Sequence, residues 1–261
     1  MSESILTLPP PPYDRRIRYG DAPQHFADVR FPHSNSSTRG TRETHRPAII
    51  NIHGGYWRAK YDLAHAGHFC AALTNAGCVT VNLEYRRVGD PGGGWPGTFE
   101  DLRRAFSYIQ QHADELRIDP AHITVTGHSA GGQLALCLTA HEPRIARVVS
   151  LAGVLDLHRA WELHLSNDAV VEFLGGTPQQ VPEHYREASP MNLAIASAEQ
   201  IIVVGTNDED APIELSRKYA STKKQRGENA RYVEIAGADH FDMIDPRSKF
   251  WATISGAIKG S

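Results

Sequence analysis

The sequence predicts an α/β fold built on a mostly parallel sheet, and three observations carry that prediction. Short apolar runs of strand-like composition recur along the chain, at 48–54, 78–85, 122–127, 147–155, 201–205 and 231–237. Helix-patterned segments of about a dozen residues separate most of them, an alternation that sets strands side by side in parallel and covers both faces of the sheet. A glycine-flanked serine, Gly127-His128-Ser129-Ala130-Gly131, stands where one such strand gives way to a helix.

In chain order, the first dozen residues end in the run Pro9 to Pro12, which favours extended polyproline II backbone and is expected to stay outside the core. Arg15, Arg16 and Arg18 read as solvated charge. FADVRF (26–31) alternates like a strand; with one more early strand it would add an antiparallel pair to the six central runs, for about eight strands in all. The polar stretch from Pro32 to Pro47 reads as a turn. DLAHAGHFCAALTNAG (62–77) has helical periodicity and a glycine stop. Gly89 to Gly97 reads as a Gly/Pro-rich loop, with Gly92 to Gly94 its flexible part at the mouth of a site. Thr98, with Asp101 three residues on, is placed to cap the helix running through 105–116. Further helices are expected at 129–140, 213–227 and 245–260. Residues 156–195 interrupt the rhythm with a helical piece near 161–176, and an insertion of that length is expected to form a small helical cap. No repeat or linker is visible, so 1–261 reads as a single domain carrying that insertion.

Composition narrows the function classes. At 41% apolar and 22% charged residues the chain has the make-up of an ordinary globular protein. A net charge of -3 and no Lys/Arg block argue against a nucleic-acid partner. No run reaches the ~18 apolar residues of a membrane span, and the N-terminus lacks the basic-then-apolar pattern of a secretory signal. Cys70, Cys78 and Cys137 are too few and too odd for a disulfide framework, so buried free thiols in a reducing compartment are expected. The expectation is a cytoplasmic protein acting on a small molecule.

The chemistry-bearing residues form a set. In G-x-S-x-G between strand and helix, the serine sits on a tight, strained turn with its Oγ exposed above the sheet, and the helix N-terminus faces developing negative charge. Ser129 is therefore the candidate nucleophile. His53-Gly54-Gly55-Tyr56-Trp57 follows the strand 48–52, and the amides of Gly54 and Gly55, with that of Ala130, suit an oxyanion hole. His53 is expected to fix this loop by hydrogen bonding. A serine nucleophile needs a base, and the base an orienting carboxylate, in the chain order serine, acid, histidine. His240, just past the last strand, is the candidate base. Asp208, Glu209 and Asp210 follow the strand 201–205; Asp208 is nearest its end and is preferred over Asp210, with Glu209 behind both. Asp239 is too close in sequence to orient His240 well, and Asp242 and Asp245 read as loop-shaping or helix-capping residues. Tyr56, Trp57, Trp95, Trp161 and Phe173 are candidate pocket residues, or else core of the insertion. His65 and His68 lack the partners of a metal site, Gly92 to Gly94 lacks the rest of a phosphate loop, and Arg86 is expected to brace loops through Glu84 or Asp101. No cofactor and no metal are required.

These motifs together resemble the α/β-hydrolase superfamily, in its esterase and lipase members with an HGG oxyanion motif. HGGYW (53–57), GHSAGGQLA (127–135), GTNDEDAP (205–212) and GADHF (237–241), with Tyr19-Gly20 and 26–32, are most similar to the kynurenine (aryl) formamidase branch. The resemblance spans about residues 19–258. It implies hydrolysis of carboxylic esters or aryl N-formamides through an acyl-enzyme, by a monomer or homodimer without a cofactor. YRRVGDPGG (85–93) departs from the YRL-A-P-E pattern of hormone-sensitive-lipase-like esterases. A general short-chain carboxylesterase and a non-catalytic binding protein on the same fold are the alternatives.

Overall fold

A computed structural model describes residues 2–33 and 45–260. Its centre is an eight-stranded sheet in the order β1-β2-β4-β3-β5-β6-β7-β8. The strands are β1 (Arg15–Arg18), β2 (Phe26–Arg30), β3 (Arg46–Ile52), β4 (Val79–Leu83), β5 (Ile118–His128), β6 (Arg147–Leu151), β7 (Glu199–Gly205) and β8 (Ala230–Ile235). From β4 through β3 to β8 every pairing is parallel, whereas β2 runs antiparallel to both β1 and β4. The helices are α1 (Gly67–Asn75), α2 (Gly97–Gln111), α3 (Ala130–His141), α4 (Leu157–Glu162), α5 (Ala169–Leu174), α6 (Pro182–Ala188), α7 (Ile213–Gln225) and α8 (Trp251–Lys259). This is the α/β-hydrolase fold, with α4 to α6 forming a helical insertion.

Strand alternation splits the core into two layers. Successive side chains leave a strand on opposite faces, so Ile50, Ile52, Val148 and Ile202 join α2 and α3 in one cluster. Ile49, Val149, Ile201 and Val203 join α1 and α8 in the other. Burial on both faces is why these strands read as continuous apolar runs.

Several elements depart from the sequence reading for identifiable reasons. Arg15 to Arg18 forms β1: Ile17 is buried, and Arg16 makes two bonds, 2.7 and 2.9 Å, to Asp28 on the facing strand. The proline run is docked. Extended backbone leaves its carbonyls without local partners, and His68 reaches that of Pro9 at 2.9 Å while Arg30 reaches those of Pro11 and Pro12 at 2.9 and 3.1 Å. Ahead of it, Ser2–Thr7 forms a 3-10 turn that buries Ile5 completely in the second core layer. The turn expected between Pro32 and Pro47 lies mostly outside the described residues.

Helix α2 starts at Gly97 after Pro96, and Thr98 does not cap it; the Thr98 hydroxyl donates to the Arg86 carbonyl at 2.5 Å. The Gly89–Gly97 loop is braced, with Arg86 on Asp101 at 2.6 Å and Arg87 on Asp90 at 3.1 Å; Glu84 engages Arg87 and not Arg86. In the insertion, the helix expected through 161–176 is split by left-handed backbone at His164, Ser166, Asn167 and Asp168. Helix α8 begins at Trp251, so neither Asp242 nor Asp245 caps it; Asp245 holds Arg247 at 2.7 Å. The three cysteines are free, Cys70 and Cys137 buried and Cys78 half-buried, and burial pushes the first two thiols up to about 12. Among the described residues no helix is long and apolar enough to cross a membrane.

If the N-terminal turn belongs to the core, Ile5→Ala should lower the free energy of unfolding by about 2–4 kcal/mol, read from urea denaturation. A loss below about 0.5 kcal/mol, the scale of an ordinary surface substitution, would detach the turn from the core.

Candidate active site

Three loops at the C-terminal ends of β5, β7 and β8 bring Ser129, Asp208 and His240 together, although as many as 111 residues separate them in the chain. Ser129 joins β5 directly to α3, with φ 56° and ψ -121°. A left-handed φ is strained for any residue with a Cβ and persists only where its surroundings over-determine it. Here the constraint is backbone against backbone. A Cβ at Gly131 would collide with the Ile52 carbonyl, and one at Gly127 with that of Gly131. Only glycine on both flanks lets β5, β3 and α3 approach this closely, and the close approach leaves Ser129 at the apex of the turn. The Ser129 side chain is buried, and its Oγ has no hydrogen-bond partner among the described residues.

His240 Nδ1 lies 2.8 and 3.0 Å from the two oxygens of Asp208. A carboxylate accepts, so the imidazole donates from Nδ1, and the lone pair of the neutral ring is left on Nε2. Oδ1 of Asp208 also accepts the amides of Asp210 and Ala211 at 3.0 and 2.8 Å, which fixes the acid in the turn after β7. Asp210 is thus a neighbour whose backbone orients Asp208. Glu209 makes no bond in this arrangement, and Asp239 accepts from the amides of Phe241 and Asp242, shaping the turn. Asp208, Asp210 and His240 hold donor atoms within 4.8 Å of one another, as a cation would require. The Asp208 and His240 donors, however, are already bonded to each other.

Gly54 lies against the serine: a Cβ there would stand 3.1 Å from the Cβ of Ser129. Gly55 has φ +109°, open to glycine alone at no cost, and a side chain would run into Tyr61. Ala130 opens α3, so its amide is among those that no helical carbonyl reaches. The loop bearing Gly54 is pinned by His53, which meets the Gly54 carbonyl at 2.8 Å and Glu84 at 3.1 Å, and by Tyr85, which stacks on His53 and bonds its carbonyl at 2.7 Å. Burial raises the Glu84 carboxyl, but His53 and Arg87 outweigh it and hold it below its ordinary range.

Ser129 and His240 face a cavity of about 280 Å³ together with Gly55 and Tyr56. Of the aromatic residues expected in the pocket, Tyr56 is the one found there. Trp57 is fully buried, stacked on Phe173 at 4.6 Å, with Nε1 donating to Gln133 at 2.9 Å. Trp95 packs on Phe99 at 5.0 Å, and Trp161 on His158 at 5.5 Å. No residue of 156–195 lines the cavity; the insertion packs beside the oxyanion loop, where Arg58 bonds Glu172 at 2.7 Å and the Ser166 carbonyl at 2.9 Å.

The walls that the sequence did not disclose are Glu3, Leu6, Tyr61, His65, His128 and Phe241. Two of them carried a signal in their neighbours, His128 beside Ser129 and Phe241 beside His240. Its Nε2 donates to the His240 carbonyl at 3.0 Å, and burial, then the nearby His240 ring, push its pKa well below the usual histidine range. Tyr56 donates its hydroxyl to the Asp210 carbonyl at 2.7 Å, tying the loop after β3 to the loop after β7.

The fold is that of the esterases and lipases of the α/β-hydrolase superfamily. The chain belongs to the BD-FAE family, whose sequence profile matches residues 38–222. It is 26% identical over 215 residues to esterase LipQ of Mycobacterium tuberculosis, a match covering 76% of this chain and 51% of LipQ. The chain thus spans about half the length of that relative. It is 25% identical over 247 residues to the kynurenine formamidase of Drosophila melanogaster, covering 88% of this chain and 75% of that protein. A truncated carbohydrate esterase from gut microbiota superposes with a TM-score of 0.75 at 20% identity, covering 95% of this chain and 99% of the other. The propionate-bound esterase Est2 of Thermogutta terrifontis gives 0.72 at 23% identity, over 94% and 91%. At these identities the two structures show a shared fold.

His65, buried beside the site, gives a pH prediction. Burial, then the His53 ring, lower its pKa to about 4 from an unfolded value of 6.5. Between those values the unfolded chain binds the extra proton, so stability is complete above pH 6.5 and falls as the pH drops toward 4, by about 3 kcal/mol. His128 acts in the same direction. Equilibrium unfolding of His65→Leu at pH 4.5 and 7.5 should show a smaller difference than the parent protein; an equal difference would remove His65 as a source.

Proposed function

We propose that this protein is a serine hydrolase that cleaves short-chain carboxylic esters through an acyl-enzyme on Ser129. The observation that carries the proposal is His240, bonded through Nδ1 to Asp208 at 2.8 Å and sharing one small cavity with a buried serine hydroxyl that has no hydrogen-bond partner among the described residues. Asp208 keeps the proton on Nδ1, so Nε2 is the basic nitrogen that takes the Ser129 proton as Oγ attacks the ester carbonyl. The amides of Gly54, Gly55 and Ala130 stabilise the oxyanion, each donor worth about 3 kcal/mol in the transition state. His240 then protonates the departing alcohol. In the second half-reaction it deprotonates water, which attacks the acyl-enzyme and frees the acid and Ser129. Catalytic hydrogen bonds are often long before substrate binds, and a serine without a partner fits that state.

The cavity, at about 280 Å³, is at the small end for ligand sites, which favours short acyl groups. The general esterase reading has more support than aryl formamide hydrolysis, since the similar proteins include LipQ, Est2 and a carbohydrate esterase. Aryl formamide hydrolysis stands as the second reading because kynurenine formamidases of Drosophila melanogaster and Salmo salar match 88% and 94% of the chain.

Rates of p-nitrophenyl acetate and butyrate hydrolysis should fall by ~10⁴-fold or more in Ser129→Ala and to a similar extent in Asp208→Asn. A fluorophosphonate probe should label the parent protein and not Ser129→Ala. Undiminished hydrolysis by Ser129→Ala would end this reading. Comparing kcat/KM for the esters and N-formylkynurenine separates the two substrates: the ester should be preferred, and a hundredfold preference for the formamide would move the assignment.

A further inference from the structure

The N-terminal 3-10 turn places Glu3 and Leu6 in the wall of the cavity that holds Ser129 and His240. The turn is anchored there: Ile5, between them, is fully buried, and Arg247 donates to the Ser4 hydroxyl at 2.9 Å. The carboxylate and basic side chains lining the cavity are of one sign. Glu3 and Asp210 line it, Asp208 stands behind His240, and no lysine or arginine is among its lining residues. Of the cations on the neighbouring loops, Arg58 is paired with Glu172 at 2.7 Å and Arg87 with Asp90 at 3.1 Å, while Lys60 lies over the ring of Tyr61, a wall residue, without itself lining the cavity. A cleft lined by one sign of charge between low-dielectric walls concentrates the opposite sign, and aromatic faces such as those of Tyr56 and Phe241 are compatible with alkylammonium groups.

We propose that Glu3 is a specificity-determining residue: the site selects esters that carry a positive charge, as an alkylammonium, near the scissile bond, and disfavours those that carry a carboxylate there. The buried Ser129 hydroxyl fixes where the carbonyl must lie, and the cavity is small enough that the substrate's remaining group meets the wall Glu3 helps to form. The proposal rests on the esterase reading.

The test is kcat/KM at low salt for acetylcholine, its uncharged isostere 3,3-dimethylbutyl acetate, and an anionic short ester, p-nitrophenyl succinate beside p-nitrophenyl butyrate. The parent protein should favour the cationic over the neutral acetate by about fivefold, and the neutral over the anionic nitrophenyl ester similarly. Both ratios should shrink in 0.5 M NaCl. Glu3→Gln should reduce both ratios, Asp210 still lining the cavity, and Glu3→Lys should lower them further, to one or below. Equal ratios in the parent protein and Glu3→Lys, or a uniform loss on all esters, would overturn the role of Glu3. Failure of the parent protein to cleave even the neutral esters would overturn the esterase reading itself, and is distinguishable for that reason.

Discussion

The close backbone contact between β3, β5 and the start of α3 is the constraint on which the rest of the site depends. Gly127 and Gly131 leave no room for side chains where these three segments meet, and Ser129 is forced into left-handed backbone between them. That single conformation does three things at once. It sets the serine at the apex of the turn between strand and helix, begins α3 at Ala130, and leaves the Ala130 amide beyond the reach of any helical carbonyl. The strain is held by packing that buries the whole turn, so the serine has little freedom to relax.

The remaining functional loops reach that turn through cross-loop bonds more than through the sheet. Tyr56 ties the loop bearing Gly54 to the loop bearing Asp208, and His128 ties the serine turn to the loop bearing His240. Trp57 bonds Gln133 on α3, and Gln133 in turn bonds the Ala188 carbonyl in the insertion. These are buried polar contacts, which are costly to leave unmade and therefore fix geometry well. The insertion packs against the loop bearing Gly54 through Phe173 and Glu172, and the cavity wall is completed instead by Glu3 and Leu6.

Much of the site was legible in the sequence because its chemistry is tied to local patterns. The glycines around Ser129 and in His53-Gly54-Gly55 mark backbone that must turn tightly, and strand ends point to Asp208 and His240. The choice of Asp208 over Asp210 needed only its position next to β7, and the structure gives those two residues different parts, one bonded to the imidazole and the other to the oxyanion loop through its carbonyl. The pocket was not legible. Trp57, Trp95, Trp161 and Phe173 look alike in sequence whether they face a cavity or a core, since an aromatic ring satisfies either, and three-dimensional packing put Trp57 and Phe173 face to face in the interior.

The amino-acid sequence by itself determined the alternation of buried strands and helices, the strained serine turn and the chain order of Ser129, Asp208 and His240. Periodicity and glycine placement are local properties and need no knowledge of neighbours. Only the tertiary structure decided which surfaces close the cavity. Glu3 and Leu6 lie more than 120 residues from Ser129, in a segment whose prolines suggest exclusion from the core, and they come to the site because Ile5 finds an apolar slot and Arg30 and His68 find the proline carbonyls. Such long-range pairings depend on what the rest of the chain leaves unfilled, which no local pattern encodes.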